Sequence, residues 1–312
     1  MTEITFELKP AAPFRLDLTA WTLRRRRENE IDAWDGESYR RIFFVERIPI
    51  LTSVRQIGSI DKPRLTITAT SPQAVKTQRE ELETLLTRTL GLRLDLHAFY
   101  VMAEKDDQIR DLAHRFIGFR PPRFPSLFEA IANAIACQQL SLTVGIMLLN
   151  RFSRAYGIRC FGGQALFAFP LPEKIAKVQP EQLGELGFSR QKARALVASA
   201  ERLSKRSDHC SHGLNNLDQL EDEPALMRLL QLHGIGRWIG EYIMLRGLGR
   251  LGVFPADDVA GQKNLYRWLK LRKVPHYEDV RRLLARWRPY QGLLYFHLLL
   301  ANLEARGQLA GC

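Results

Sequence analysis

One run, residues 229–262 (LLQLHGIGRWIGEYIMLRGLGRLGVFPADDVAGQ), constrains the fold more than any other part of the chain. Its pattern predicts a helix, a tight turn through Gly234, Ile235 and Gly236, and a second helix. Further on, an aspartate pair, Asp257 and Asp258, opens a third helix. Glycine lets a backbone turn sharply and approach a partner closely. The N–H groups that begin the second helix have no intrahelical acceptor. The turn therefore offers free donors and the positive end of a helix dipole, an arrangement suited to a phosphate oxygen.

Charge points the same way. The chain carries 46 Lys and Arg against 34 Asp and Glu, a net charge of +12 over 312 residues. Such a surplus suits nucleic acid or an anionic membrane surface. No apolar stretch reaches the roughly 18 residues of a membrane span, and the opening MTEITFELKP has no signal-peptide core. The expected setting is the cytoplasm, at the nucleoid in a prokaryote, without membrane association. Cys137, Cys160, Cys210 and Cys312 include no C-x-x-C pair, so neither a zinc nor an iron–sulfur site is expected.

Residues 1–70 alternate as strands do around 4–8 and 65–69, with a strand-forming run at 39–50, while 14–23 fit no single period. Arg24 to Arg27 read as a solvated basic face, with phosphate contact as the other reading. Ser71-Pro72 has the form of a helix start running to about residue 90. From residue 105 the chain is helical in pattern, with segments at 106–116, 258–270, 276–286 and 290–306. Ser126 and Glu129 form a capping box ahead of an apolar helix that leads into Gln138-Gln139-Leu140-Ser141. Ser189 caps a further helix whose Arg190, Lys192 and Arg194 add charge to the surface.

The run Leu232-His233-Gly234-Ile235-Gly236-Arg237-Trp238, with Tyr242, Leu245-Arg246-Gly247 and Val253 to Asp258, resembles the helix-hairpin-helix DNA glycosylases. Within them it is most similar to the 3-methyladenine DNA glycosylase II type. The resemblance implies an α+β chain. A small N-terminal strand/helix domain would occupy residues 1–104, and an all-α helix-hairpin-helix domain of two lobes residues 105–312. It implies a monofunctional glycosylase that hydrolyses the N-glycosidic bond of alkylated purines in double-stranded DNA, acting as a monomer. Asp258 would be the catalytic carboxylate and Asp257 its supporting partner. Trp238, Tyr242 and Tyr290 would wall the base pocket, whose rings attract a cationic base. Gln139 or Leu140 would fill the gap left by the extruded base. Gly234, Ile235, Gly236 and Arg237 would hold a phosphate. No side-chain metal site or organic cofactor is implied, and backbone carbonyls of Leu230, Leu232 and Ile235 could hold a monovalent cation. Relatives that also cleave the strand place lysine where Trp238 stands, so the resemblance implies water as the nucleophile. Two other readings remain open: a glycosylase for deaminated or oxidised purines, and a non-catalytic helix-hairpin-helix DNA-binding protein.

Overall fold

The computed structural model describes residues 1–72, 76–160, 165–204 and 214–309. Cys210 and Cys312 lie outside them. The N-terminal part is an antiparallel sheet of β1 (Thr2–Leu8), β2 (Ala33–Trp34), β3 (Ser38–Val45), β4 (Ile48–Gln56) and β5 (Leu65–Ser71), ordered β1-β5-β4-β3-β2. Helix α1 (Leu16–Arg24) sits between β1 and β2 in the chain, and α2 (Arg79–Thr89) follows β5. β5 shows why the alternation was readable: Leu65, Ile67 and Ala69 are fully buried and their neighbours are not. β3 and β4 pair through a two-residue turn at Glu46 and Arg47, both with left-handed backbone (φ 48° and 68°).

Three readings change here. Residues 14–23 contain a helix, and its period is obscured because α1 is buried on two sides. Leu16, Ala20 and Trp21 enter the sheet's core, while Leu18 enters that of the helices. Ser71 ends β5 opposite Thr2, residues 73–75 of the helix start placed there lie outside the described ones, and α2 begins at Arg79. Glu129 does not close a capping box. Ser126 accepts from the Glu129 N–H (3.1 Å), but the Glu129 carboxylate turns instead to a buried arginine.

That arginine, Arg41 on β3, joins the sheet to the helices. It donates to Asp32 Oδ1 (2.6 Å) and to Glu129 Oε2 (2.5 Å), and Tyr39 Oη adds a bond to Asp32 (2.7 Å). All three charged side chains are buried.

The remaining helices are α3 (His97–Glu104), α4 (Asp107–Arg115), α5 (Leu127–Cys137), α6 (Leu142–Tyr156), α7 (Pro172–Ile175), α8 (Pro180–Glu185), α9 (Arg190–Ser204), α10 (Asp222–Leu230), α11 (Arg237–Arg246), α12 (Val259–Trp268), α13 (Tyr277–Leu284) and α14 (Gln291–Ala305). They pack around two cores. One is built from α5 to α11, the other from α3, α4 and α12 to α14. Leu245 near the end of α11 crosses into the second core, so α11 lies along the seam. Trp287 is core, with Nε1 donating to Asp106 Oδ2 (2.8 Å) and its ring against Trp268. No described helix is long and apolar enough to cross a membrane.

Candidate active site

The seam between the two helical cores opens into a cavity of about 590 Å³, within the range of small-ligand pockets. Its walls come from distant parts of the chain. Trp238, Tyr242 and Arg246 stand on α11, and Asp258 at the start of α12. Tyr295 comes from α14, Arg25 from the end of α1, Cys137 from the end of α5, and residues 138–140 from the loop after it.

Asp258 is the N-cap of α12. One carboxylate oxygen accepts the N–H groups of Ala260 (2.7 Å) and Gly261 (3.0 Å), and the other accepts the Tyr295 hydroxyl (2.7 Å). Three donors and the positive end of a helix dipole fix an anion at the cavity wall. Burial, and then the Asp258 charge beside it, push the Tyr295 hydroxyl well above its ordinary pKa, so it remains a donor. Tyr295→Phe removes this bond without changing shape. We expect the single-turnover rate of base release to fall about tenfold, with thermal stability little changed; an unchanged rate would show that the two backbone donors suffice.

Trp238 and Tyr242 stack at an angle, with ring centroids 5.7 Å apart and planes tilted by 35°. Two arginines stand behind them. Arg25 donates to the Tyr242 hydroxyl (3.2 Å) and to Asn133 Oδ1 (2.5 Å). Arg246 donates to Thr22 O (2.8 Å) and lies over the rings of Phe124 and Tyr242, at 4.9 and 5.8 Å, with its Nε unpartnered. Both guanidiniums are buried and held by neutral acceptors and ring faces. Burial raises the pKa of the Cys137 thiol, against the pull of the neighbouring cations.

The hairpin is α10, residues 231–236 and α11. Gly236 is the N-cap of α11, and no side chain satisfies the first-turn donors. The two glycines have different reasons to be there. Gly234 is left-handed (φ 77°), and a Cβ on it would stand 2.6 Å from Ala195 Cβ. Gly236 has an ordinary φ of −88° and open space where a Cβ would be. We expect Gly234→Ala to cost about 1–3 kcal/mol in urea unfolding, and Gly236→Ala to leave stability near wild type; equal effects would contradict this assignment.

Chain positions 132–289 match the model of the HhH-GPD superfamily base excision DNA repair proteins. The chain belongs to that superfamily. The DNA-3-methyladenine glycosylase of Bacillus subtilis is 27% identical over 71% of this chain and 72% of its own length. Among solved structures, the 3-methyladenine DNA glycosylase of Archaeoglobus fulgidus superposes with a TM-score of 0.81 at 24% identity, covering 95% of this chain and 98% of that one. The Schizosaccharomyces pombe 3-methyladenine DNA glycosylase, solved with abasic DNA, is 26% identical with a TM-score of 0.51, over 63% of this chain and 92% of its own.

Within this HhH-GPD fold the residues named from the sequence fall in different places. Asp258, Trp238, Tyr242, Gln139 and Leu140 all border the one cavity. Tyr290 does not. It packs edge-on against Phe99 in the second helical core, with centroids 5.5 Å apart. Asp257 borders the cavity but is exposed, and Asp258 itself is the cap. Ile235 is buried as the hairpin's anchor, and its N–H is used on Leu232 O (3.1 Å). Arg237 lies over the Tyr277 ring and donates to its hydroxyl (2.9 Å), away from the cavity. Lys192 is turned inward to the end of α5 rather than outward as surface charge.

Tyr295, Arg25 and Arg246 were not foreseen as lining residues. For Tyr295 the available signal was helical position. It lies on α14 only five residues after Tyr290, the residue that precedes the helix, and a spacing of five does not return a side chain to the same face. For Arg25 no local signal existed, since it sits inside a four-arginine run that reads as solvated, and only packing buries it. A second cleft, of about 450 Å³, contains Glu241, Tyr277 and Arg237, and Asp258 does not border it.

Proposed function

We propose that the chain is a monofunctional DNA glycosylase that hydrolyses the N-glycosidic bond of alkylated purines of the 3-methyladenine and 7-methylguanine type in double-stranded DNA. The observation that carries this reading is Asp258, a carboxylate fixed by three donors at the wall of a ring-lined cavity. A base attacked within a duplex must first leave the stack. Bond cleavage then leaves positive charge on the sugar, and an anion already in place stabilises that charge without rearranging. A purine alkylated on a ring nitrogen departs as a neutral molecule and needs no acid. Water completes the reaction. No lysine lines the cavity among the described residues, which supports hydrolysis over a covalent amine intermediate.

The uncapped start of α11 supports phosphate binding by the hairpin. The carbonyls of Leu230, Leu232 and Ile235 are the place for a monovalent cation that would steady the same turn.

The second reading is a glycosylase for deaminated or oxidised purines, whose base edges carry carbonyl oxygens. Arg25 and Arg246 border the cavity, with their guanidiniums buried and already donating to Tyr242, Asn133 and Thr22.

The test is chromatography of bases released from methylated duplex DNA, alongside duplexes containing hypoxanthine or 8-oxoguanine. Release of methylated purines, with the strand intact until alkali treatment, is the expected result. Release of only the oxo-bases would transfer the function to the second reading. No release at all, with DNA binding retained, would leave a binding protein.

A further inference from the structure

The loop between α5 and α6 bears the two residues placed to fill the gap in the duplex, and little within it holds it in shape. Gln138 leaves the helix with extended backbone (ψ 129°), Gln139 is left-handed (φ 56°) although it is not glycine, and Leu140 is 43% exposed. Its internal bonds are long. The Leu140 N–H reaches Cys137 O at 3.4 Å, and Ser141 Oγ caps α6 by accepting the Val144 N–H at 3.3 Å. A strained turn with weak bonds of its own keeps one shape only if its surroundings impose it.

Lys192 does so from another helix. It lies in the first turn of α9, where a cation opposes the helix dipole. Its ammonium crosses to α5 and donates to Gln138 O (2.7 Å) and Ala136 O (3.2 Å). These carbonyls lie at the negative end of α5, where the helix itself supplies no donors. The unfavourable position on α9 is offset by a favourable one on α5. The two bonds grip the backbone on either side of Cys137, immediately before the left-handed residue.

We propose that Lys192 is a positioning residue for base extrusion. By clamping the end of α5 it fixes the direction in which Gln139 and Leu140 project, so that the tip enters the duplex preformed. The proposal rests on the glycosylase reading and on the assignment of this tip as the gap filler. It predicts a dependence that a purely structural cap lacks. Extrusion is costly when the damaged base is paired and cheap when it has no partner.

The experiment compares Lys192→Met, Lys192→Arg and Leu140→Ala with the wild type in single-turnover release of 7-methylguanine. One duplex places the lesion opposite cytosine, the other opposite an abasic-site analogue. Lys192→Met is expected to lose about tenfold on the paired lesion and less than about twofold on the unpaired one. Lys192→Arg should recover part of the loss, and Leu140→Ala should show the same paired-only defect. Circular dichroism and thermal unfolding establish that each variant is folded.

Equal loss on both duplexes would overturn the proposal in favour of a general structural role. No loss on either would show that the loop holds itself. A Leu140→Ala variant indifferent to pairing would remove the gap-filling assignment and the proposal with it. Fluorescence of 2-aminopurine placed beside the lesion reads extrusion without chemistry. A rise with wild type but not with Lys192→Met, in the absence of base release, would support the positioning role while overturning the glycosylase reading. No rise with either protein would overturn both.

Discussion

Asp258→Asn lowers the single-turnover rate of base release by about a thousandfold, while the affinity for duplex DNA stays close to that of the wild type. The expectation follows from what the substitution keeps. Asparagine caps helices as well as aspartate does. Its amide oxygen accepts the Ala260 and Gly261 N–H groups as Asp258 Oδ1 does now, and its amide nitrogen donates to the Tyr295 hydroxyl. The fold and the cavity therefore survive, and what disappears is the charge. A neutral amide cannot stabilise a cationic sugar. The measurement is quenched-flow or manual single-turnover release from methylated DNA, paired with binding by fluorescence anisotropy and with urea unfolding. A variant that binds, folds and still releases base at the wild-type rate would remove Asp258 from the chemistry.

The second large effect is on stability. Arg41→Met leaves the Asp32 and Glu129 carboxylates buried with no cation between them, and we expect a loss of about 3–5 kcal/mol in urea unfolding. The pH dependence carries a definite sign. Burial raises the Glu129 pKa, and Arg41 opposes that rise. Without the guanidinium, the folded state holds its proton to higher pH than the unfolded chain does. Stability of the variant therefore falls as pH rises through that range, and the deficit is smaller near pH 5 than near pH 7. A deficit independent of pH would show that Glu129 finds another partner. Because Glu129 stands on α5, which leads to residues 138–141, the variant also tests whether the sheet steadies that loop.

The parts of the site that were legible are those written in contiguous sequence. The hairpin, the aspartate that opens α12, and the pair Trp238 and Tyr242 four residues apart on α11 all depend on local turn, cap and helix geometry. The same holds for the sheet, whose alternation comes from the pleat itself. What was not legible depends on distant contacts. Tyr290 precedes α14 and Tyr295 lies on it five residues later, and nothing in their spelling says which faces Asp258 and which faces Phe99. Ser71-Pro72 has the chemistry of a helix cap, and the same Ser71 also closes β5 by pairing with Thr2 of β1, which local spelling does not announce. Glu129 has the spacing of a capping-box partner, yet a buried arginine from residue 41 offers it a stronger bond than its own backbone does.

Arg25 and Tyr295 meet in one cavity although 270 residues of sequence (295 − 25) separate them. The cavity is therefore complete only when α1 and α14, from opposite ends of the chain, have both packed against α11 and α12. Contacts of such sequence separation are slow to form, because the loop entropy is lost before they give anything back. Asp258 lies within the chain between them, and its Tyr295 partner is supplied by the last helix.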